Sequence, residues 1–256
     1  MLLCSVRDCR MPLMREERRL SCAQGHSFDV ARSGYVNLLQ PQERRSSQPG
    51  DTAAAVQGRR RLHDSGATIS LLHAIAEVTR ASSSDTVLDA GCGEGFYLGS
   101  LARQKGFDAH GVDISVPAID AAARRYPHAE WIVANADRFI PYADGVFSIV
   151  MSITARMNAP EFRRVLRDDG LMLIAVSSPE DLVELRGTGR DRVPRTTDSF
   201  AEGFKLVDQR RITTTAELDA AAVEDLRHTI YRPMNSEVAV AMRVTFSLDL
   251  LLFRRH

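Results

Sequence analysis

Three alternating glycines between an apolar run and a helical one restrict this chain more than any other feature. In Val87-Leu88-Asp89-Ala90-Gly91-Cys92-Gly93-Glu94-Gly95-Phe96, a strand-like stretch ends at Asp89 and a helical period opens at Phe96. Such a turn lets backbone approach a ligand closely, at the carboxyl end of a first strand, where open α/β sheets bind cofactors. The spacing is Gly-x-Gly-x-Gly rather than Gly-x-Gly-x-x-Gly, which argues against a dinucleotide and for S-adenosylmethionine. Asp113, one strand later, is placed to accept hydrogen bonds from ribose hydroxyls, and Asn135-Ala136-Asp137 follows the third strand, where an adenine edge would lie. Cys92 reads as a small space-filling residue of the loop, not a nucleophile.

From Thr86 onward the chain alternates strand and helix. Strands are predicted at Thr86–Asp89, Ala109–Asp113, Trp131–Ala134, Phe147–Met151 and Leu171–Val176; helices at Phe96–Gln104 and, capped by Ser115, up to Arg125. This βαβ alternation specifies a mostly parallel, doubly wound α/β sheet of Rossmann type. A helix around Glu217–Arg227 precedes Val238–Phe253, a β-branched and aromatic run read as one or two antiparallel edge strands. Upstream, Gln40–Asp51 is polar and rich in Pro, Gly and Ser, a linker; one helical pattern begins at Asp51 and a second spans about Ile69–Arg80.

Of four cysteines, three crowd into the first 22 residues. Cys4, Cys9, Cys22 and His26 are spaced C-x4-C, twelve residues, C-x3-H. Two short chelating turns joined by a hairpin supply the four soft or borderline ligands that tetrahedral zinc takes, and four protein ligands make the metal structural. Read instead as core thiols and a surface histidine, these residues would leave about forty residues without enough core to fold. Arg7, Asp8 and Arg10 interrupt any signal-peptide core, and no apolar run approaches the ~20 residues needed to span a bilayer. A cytoplasmic, reducing location with no membrane partner is expected, and there clustered cysteines favour metal over disulfide.

Net charge is zero, 33 Lys+Arg against 33 Asp+Glu, which excludes a globally basic nucleic-acid binder. The sum hides an asymmetry: residues 1–64 hold 11 Arg against 7 acidic residues, so the N-terminal part is basic and the rest slightly acidic.

The sequence resembles the bacterial 23S rRNA guanine-N1 methyltransferases that modify hairpin 35, a group that includes the tylosin-resistance enzymes. The resemblance runs over most of the chain. It rests on the Cys/His knuckle, on Gly25-His26-Ser27-Phe28-Asp29-Val30-Ala31-Arg32-Ser33-Gly34-Tyr35-Val36-Asn37-Leu38-Leu39, on Pro49-Gly50-Asp51 and on Arg59-Arg60. Leu88-Asp89-Ala90-Gly91-Cys92-Gly93-Glu94-Gly95, Gly111-Val112-Asp113-Ile114-Ser115 and Ala121-Ala122-Ala123-Arg124-Arg125-Tyr126-Pro127 complete it. It implies a class I S-adenosylmethionine-dependent methyltransferase with a small N-terminal zinc ribbon that helps engage RNA, and it allows a homodimer. The expected division is a zinc-binding domain over 1–40, a linker and helical segment over 41–85, and a catalytic domain over 86–256. Zinc ligands are expected at Cys4, Cys9, Cys22 and His26; cofactor contacts at Asp89, Gly91, Gly93, Glu94, Gly95, Asp113, Ile114, Asn135 and Ala136. The chain departs from the family pattern around the cofactor's rim: Ala67-Thr68 stand for His-Tyr, Thr154-Ala155-Arg156 for an aromatic-Ala-Pro turn, Arg167-Asp168-Asp169-Gly170 for a basic Pro-Gly-Gly, and Asp181 for a His.

Methyl transfer from a sulfonium is an in-line displacement with an activated donor, so the protein mainly supplies alignment. Guanine N1 must also lose a proton to an acceptor or to water; Asp137, Asp181 and residues 154–158 are candidates, and spacing names no catalytic base. Arg15, Arg18, Arg19, Arg44, Arg45 and Arg59 to Arg61 are candidate phosphate contacts, although 31 Arg against 2 Lys also reads as a compositional bias. Tyr35 and Phe28 are candidate base-stacking residues, with core packing of the knuckle the alternative. Two other functions fit the same residues: methylation of another RNA or a small molecule, and a non-catalytic RNA- or protein-binding module that retains a cofactor site.

Overall fold

The computed structural model describes residues 1–43, 49–229 and 239–256. The first 30 residues form a three-stranded antiparallel meander, β1 (Met14–Glu16), β2 (Arg19–Ser21) and β3 (Ser27–Asp29). Its strands are three residues each and mostly exposed, too short to bury a core alone. β4 (Val36–Asn37) then leaves the meander and joins the large sheet. Of the expected linker, Pro41–Glu43 forms a 3-10 turn, and Arg44 to Gln48 lie outside the described residues. Thr52 caps α1 (Ala53–Asp64) by accepting the Ala55 amide at 3.2 Å, and α2 (Ile69–Thr79) follows.

The body then reads β5 (Thr86–Ala90), α3 (Phe96–Lys105), β6 (Asp108–Asp113), α4 (Val116–Arg125), β7 (Glu130–Val133), β8 (Phe147–Ile153), α5 (Ala159–Val165) and β9 (Leu166–Ser177). After it come α6 (Val183–Arg186), α7 (Val193–Phe200), β10 (Phe204–Leu218), α8 (Ala220–Thr229) and β11 (Met242–Arg255). The eight-stranded sheet has the order β10-β11-β9-β8-β5-β6-β7-β4. The strands from β4 to β9 run parallel, and β11 and β10 are antiparallel additions. The order reverses at β5, flanked by β6 and β8, so the loops after β5 and β8 diverge and open a crevice at the carboxyl ends of the strands.

Pleating puts alternate residues on opposite faces, and both faces are covered. Val87, Ile149 and Leu173 pack with Leu72, Ile75, Leu98, Leu101 and Ile119 from α2, α3 and α4. Leu88, Val150 and Met172 pack on the other face with Phe162 and Phe200 from α5 and α7, and Leu2, Leu13 and Leu20 extend that core into the meander. The small N-terminal unit therefore shares its apolar core with the body. Fully burying each such side chain stabilises by about 1.5–3 kcal/mol.

The C-terminal expectation needs correction. The run read as edge strands is β11, which lies inside the sheet between β9 and β10; Val238 lies outside the described residues. The edge belongs to β10, a 15-residue strand with one exposed face that its charged and Thr-rich composition hid. β10 runs to Leu218, so the following helix starts at Ala220, not Glu217. β9 is likewise longer than Leu171–Val176.

Candidate active site and metal centre

β5 delivers the chain to the crevice, and the glycines determine how closely other groups approach. Gly91 has φ +86, and a Cβ there would lie 2.4 Å from the Cβ of Ala155, which closes over it from the loop after β8. Gly93, at φ +55, has Arg59 against it: a Cβ would sit 3.3 Å from the guanidinium Nη1. Gly95 opens α3, with the Trp131 ring filling the space a side chain would take.

Asp113, the last residue of β6, ties the loop down. One oxygen accepts the Gly93 amide at 2.9 Å, the other the Ser115 amide at 2.8 Å. Ser115 in turn donates to the Asp51 carbonyl at 2.8 Å, and a Cβ on Gly50 would meet Ile114 and Ser115, so Pro49-Gly50-Asp51 packs on the turn after β6. The Asp51 carboxylate accepts from Arg59 at 2.5 Å.

Four carboxylates thus surround the loop, and burial acts on three of them. Asp89 is pushed up to about 8 by burial, with the charges of Asp113 and Glu94 adding to it. Glu94 and Asp113 are also raised, chiefly by burial, against the pull of Arg59. Asp89 Oδ1 and Glu94 Oε1 are buried and have no hydrogen-bond partner. His63 lies flat on Phe96, centroids 4.0 Å apart, and shares a 2.6 Å hydrogen bond with Thr68. Burial, then Arg59 and Arg125, hold its pKa down to about 3, so it is neutral; its Nε2 lies 3.4 Å from Glu94 Oε1 without hydrogen-bond geometry.

The loops after β7 and β8 are braced together. Asn135 accepts the Asp137 amide, and the Asn158 amide group donates to the carbonyls of Ala136 and Asp137 at 3.1 and 2.9 Å. Asp137 is exposed and 3.5 Å from Arg156. Thr154 holds φ +53, a left-handed conformation that costs a β-branched residue about 1–3 kcal/mol. Asp181 is not poised to accept a substrate proton: it accepts from the Ser247 amide at 3.0 Å and from Arg186 at 2.5 Å.

These observations fit S-adenosylmethionine. A glycine cradle, a carboxylate at the end of the second strand and orphaned buried acid oxygens suit a ligand with hydroxyls and two positive charges. Asp89, Gly91, Gly93, Glu94 and Asp113 share one crevice wall with Ile114 beside it, Asn135 and Ala136 follow the adjacent strand, and Gly95 faces the core. Asp51 joins from the turn before α1, Arg59 and His63 from α1, and Thr68 from the turn after it. No periodicity announces these four, because the crevice acquires them through tertiary packing.

In the N-terminal unit, one ligand atom from each of Cys4, Cys9, Cys22 and His26 lies within 4.8 Å of the others. Sγ of Cys9 is 3.8 Å from Sγ of Cys22, and His26 Nδ1 is 3.6 and 3.5 Å from the sulfurs of Cys4 and Cys22. A zinc tetrahedron with bonds of ~2.3 Å to sulfur has edges of ~3.8 Å, so the set fits that ion. Phe28 and Tyr35 are half-buried and pack against the edges of the two apolar cores. Among the arginines, Arg18 is exposed, Arg15 is exposed and 3.8 Å from Glu130, Arg19 pairs with Glu16, Arg60 with Asp64 and Arg61 with Asp225; Arg59 turns inward, and Arg44 and Arg45 lie outside the described residues. Among the described residues no helix is long and apolar enough to cross a membrane.

The family model described as RlmA, N-terminal, a zinc ribbon, matches residues 3–47, and a model described as Methyltransferase domain matches residues 87–170. A 23S rRNA (guanine(748)-N(1))-methyltransferase of Streptomyces fradiae is 37% identical over 84% of this chain and 80% of its own length. The Bacillus subtilis protein YxjB, named for 23S rRNA (guanine-N(1)-) methyl transfer, is 33% identical over 78% of this chain and 72% of its own. Solved structures share the fold at lower identity. A chain of the Haloferax volcanii complex with the Trm112 methyltransferase activator has a TM-score of 0.57 at 20% identity, covering 80% of this chain and 98% of that one. The MccD protein has a TM-score of 0.52 at 16% identity, covering 72% and 96%.

Fold and site define a class I S-adenosylmethionine-dependent methyltransferase carrying a structural zinc ribbon. Within that class the chain belongs to the 23S rRNA (guanine-N1-)-methyltransferase family.

Proposed function

We propose that this protein methylates N1 of a guanine in the hairpin 35 region of 23S rRNA. The observation that carries the reading is the joining of a glycine cradle, clamped by Asp113, to a zinc ribbon on the same apolar core. Asp113 holds the ribose end of the cofactor, Asn135 and Ala136 flank its adenine, and Asp89, Glu94 and the three glycines line the rest. The bound cofactor supplies a methyl group on a sulfonium. The N1–methyl bond forms as the sulfur–methyl bond breaks, and the N1 proton leaves to water or to Asp137 at the exposed rim. The braced turn from Thr154 to Asn158 closes the crevice wall beside Gly91 and aligns the incoming base, which must be unpaired or turned out to expose N1.

The proposed division is functional: residues 1–40 with zinc engage RNA, 41–85 link and close the crevice, and 86–256 carry catalysis. Arg18 presents charge on the ribbon, and Arg15 does so beside Glu130. The site of action is the cytoplasm, where ribosomal RNA is available; a homodimer is allowed by the family resemblance, and light scattering on the eluted protein tests it. Macrolide resistance is tested by expression in a sensitive strain lacking its own hairpin 35 enzyme. Label transfer from S-adenosylmethionine to a hairpin 35 transcript, absent when its loop guanines are replaced, tests the reaction; transfer only to a small molecule or another RNA would redirect it.

A further inference from the structure

The acids around the glycine loop leave one end of the cofactor unaccounted for. Its sulfonium and ammonium groups suit Asp89 and Glu94, but those charges and that of Asp113 repel its carboxylate. A guanidinium facing that group would offset the repulsion. Arg125 pairs with Asp64 at 2.5 Å and lies over Tyr126, and although its Nη1 is buried without a hydrogen-bond partner, no glycine of the loop has Arg125 against it. Arg59 is the guanidinium at the loop itself, at the position that a side chain on residue 93 would fill. Asp51 takes one hydrogen bond from its Nη1, and a guanidinium carries five donors in a fork matched to carboxylates. Ser115 anchors Asp51 by its backbone, so the pair is held from the same turn that carries Asp113.

We propose that Arg59 binds the carboxylate of the cofactor's methionine end, with Asp51 as the residue that positions it. The inference rests on the reading of the crevice as an S-adenosylmethionine site and deepens it. Glycine at residue 93 suits this arrangement, since a Cβ there would stand 3.3 Å from the guanidinium Nη1.

Calorimetric titration of the zinc-loaded full chain with S-adenosylmethionine and with its decarboxylated form, which lacks only the carboxylate, tests the assignment. Wild type binds the intact cofactor about tenfold or more tightly than the decarboxylated one. Arg59→Gln loses that factor for the intact cofactor and keeps its affinity for the decarboxylated form. Arg59→Lys, which keeps the charge and loses the fork, falls between. Equal losses for both ligands, or no loss for either, would overturn the proposal. A wild-type protein that binds neither ligand would instead overturn the cofactor reading beneath it. Thermal melting shows that the variants are folded, and if Arg59→Gln does not fold, the Lys variant carries the test by the same two-ligand comparison.

Discussion

The Asp113 carboxylate reaches from the end of β6 to the Gly93 amide, 2.9 Å away, so the two halves of the cofactor crevice are joined before any ligand arrives. Asp113→Ala leaves the Gly93 and Ser115 amides without their acceptor, a cost of about 1–3 kcal/mol for buried groups. The expected outcome is a lower melting temperature and at least a tenfold weaker affinity for S-adenosylmethionine by calorimetry. Unchanged affinity would remove Asp113 from the binding set.

Gly91→Ala places a methyl group at φ +86 against Ala155. The strained backbone and the clash destabilise the fold by about 1–3 kcal/mol and push the loops after β5 and β8 apart. Denaturant unfolding reads the first effect. The double variant Gly91→Ala with Ala155→Gly recovers part of the loss if the contact causes it.

Asp89 gives the site a pH dependence with a defined sign. Its folded pKa of about 8 stands above its ordinary value of 3.8, so its contribution to the stability of the ligand-free fold is complete below pH 4 and is lost as pH rises to about 8. His63 works oppositely: held at about 3 against 6.5, it costs stability as pH falls from 6.5 toward 3. Comparing wild type with Asp89→Asn isolates the first: the variant gains relative stability with rising pH between 4 and 8. Cofactor affinity rises over pH 6–8 in wild type, because the ligand's positive charges favour the ionised carboxylate, and that slope flattens in the variant. A pH-independent difference between the two would contradict the assignment.

Cys22→Ser removes one zinc ligand. Bound zinc, near one per chain in wild type by atomic absorption, falls sharply, and the ribbon loses the staple that compensates for its small core. Because Leu2, Leu13 and Leu20 pack on the body, a partial loss of body stability accompanies it.

The ribbon is also held to the body through Phe139, which has Arg10 from the knuckle 4.8 Å from its ring centroid and Arg164 from α5 at 5.0 Å. Phe139→Ala weakens RNA binding by several-fold in a filter assay while cofactor affinity stays at the wild-type value. Loss of both together would mean that Phe139 supports the body and not the ribbon's placement.

What could be read in advance follows from how local each signal is. The glycine loop, Asp113 and the Cys/His knuckle are contiguous motifs, and their backbone needs appear in the residue types themselves. The central strands are buried on both faces and read as mainly apolar runs, as in Phe147–Ile153, where Ser148 and Ser152 are the polar interruptions. β10 escaped because its exposed face is charged and Thr-rich, and β11 was placed at the edge because sequence carries no record of which strand inserts between which. Arg59 read as a candidate phosphate contact because nothing in its neighbours shows that α1 turns it onto Gly93. Asp181 read as a rim acceptor because its partners, Ser247 and Arg186, meet it only in the folded chain.

Methyl transfer to guanine N1 leaves a base that can no longer pair through that edge. A hairpin 35 transcript is incubated with the protein and S-adenosylmethionine and then copied by reverse transcriptase, which stops at a guanine whose N1 is methylated because pairing there is blocked. The expected result is a single cofactor-dependent stop at one guanine of the hairpin, absent when that base is replaced. Cofactor binding with no stop and no label in any 23S rRNA fragment would contradict it.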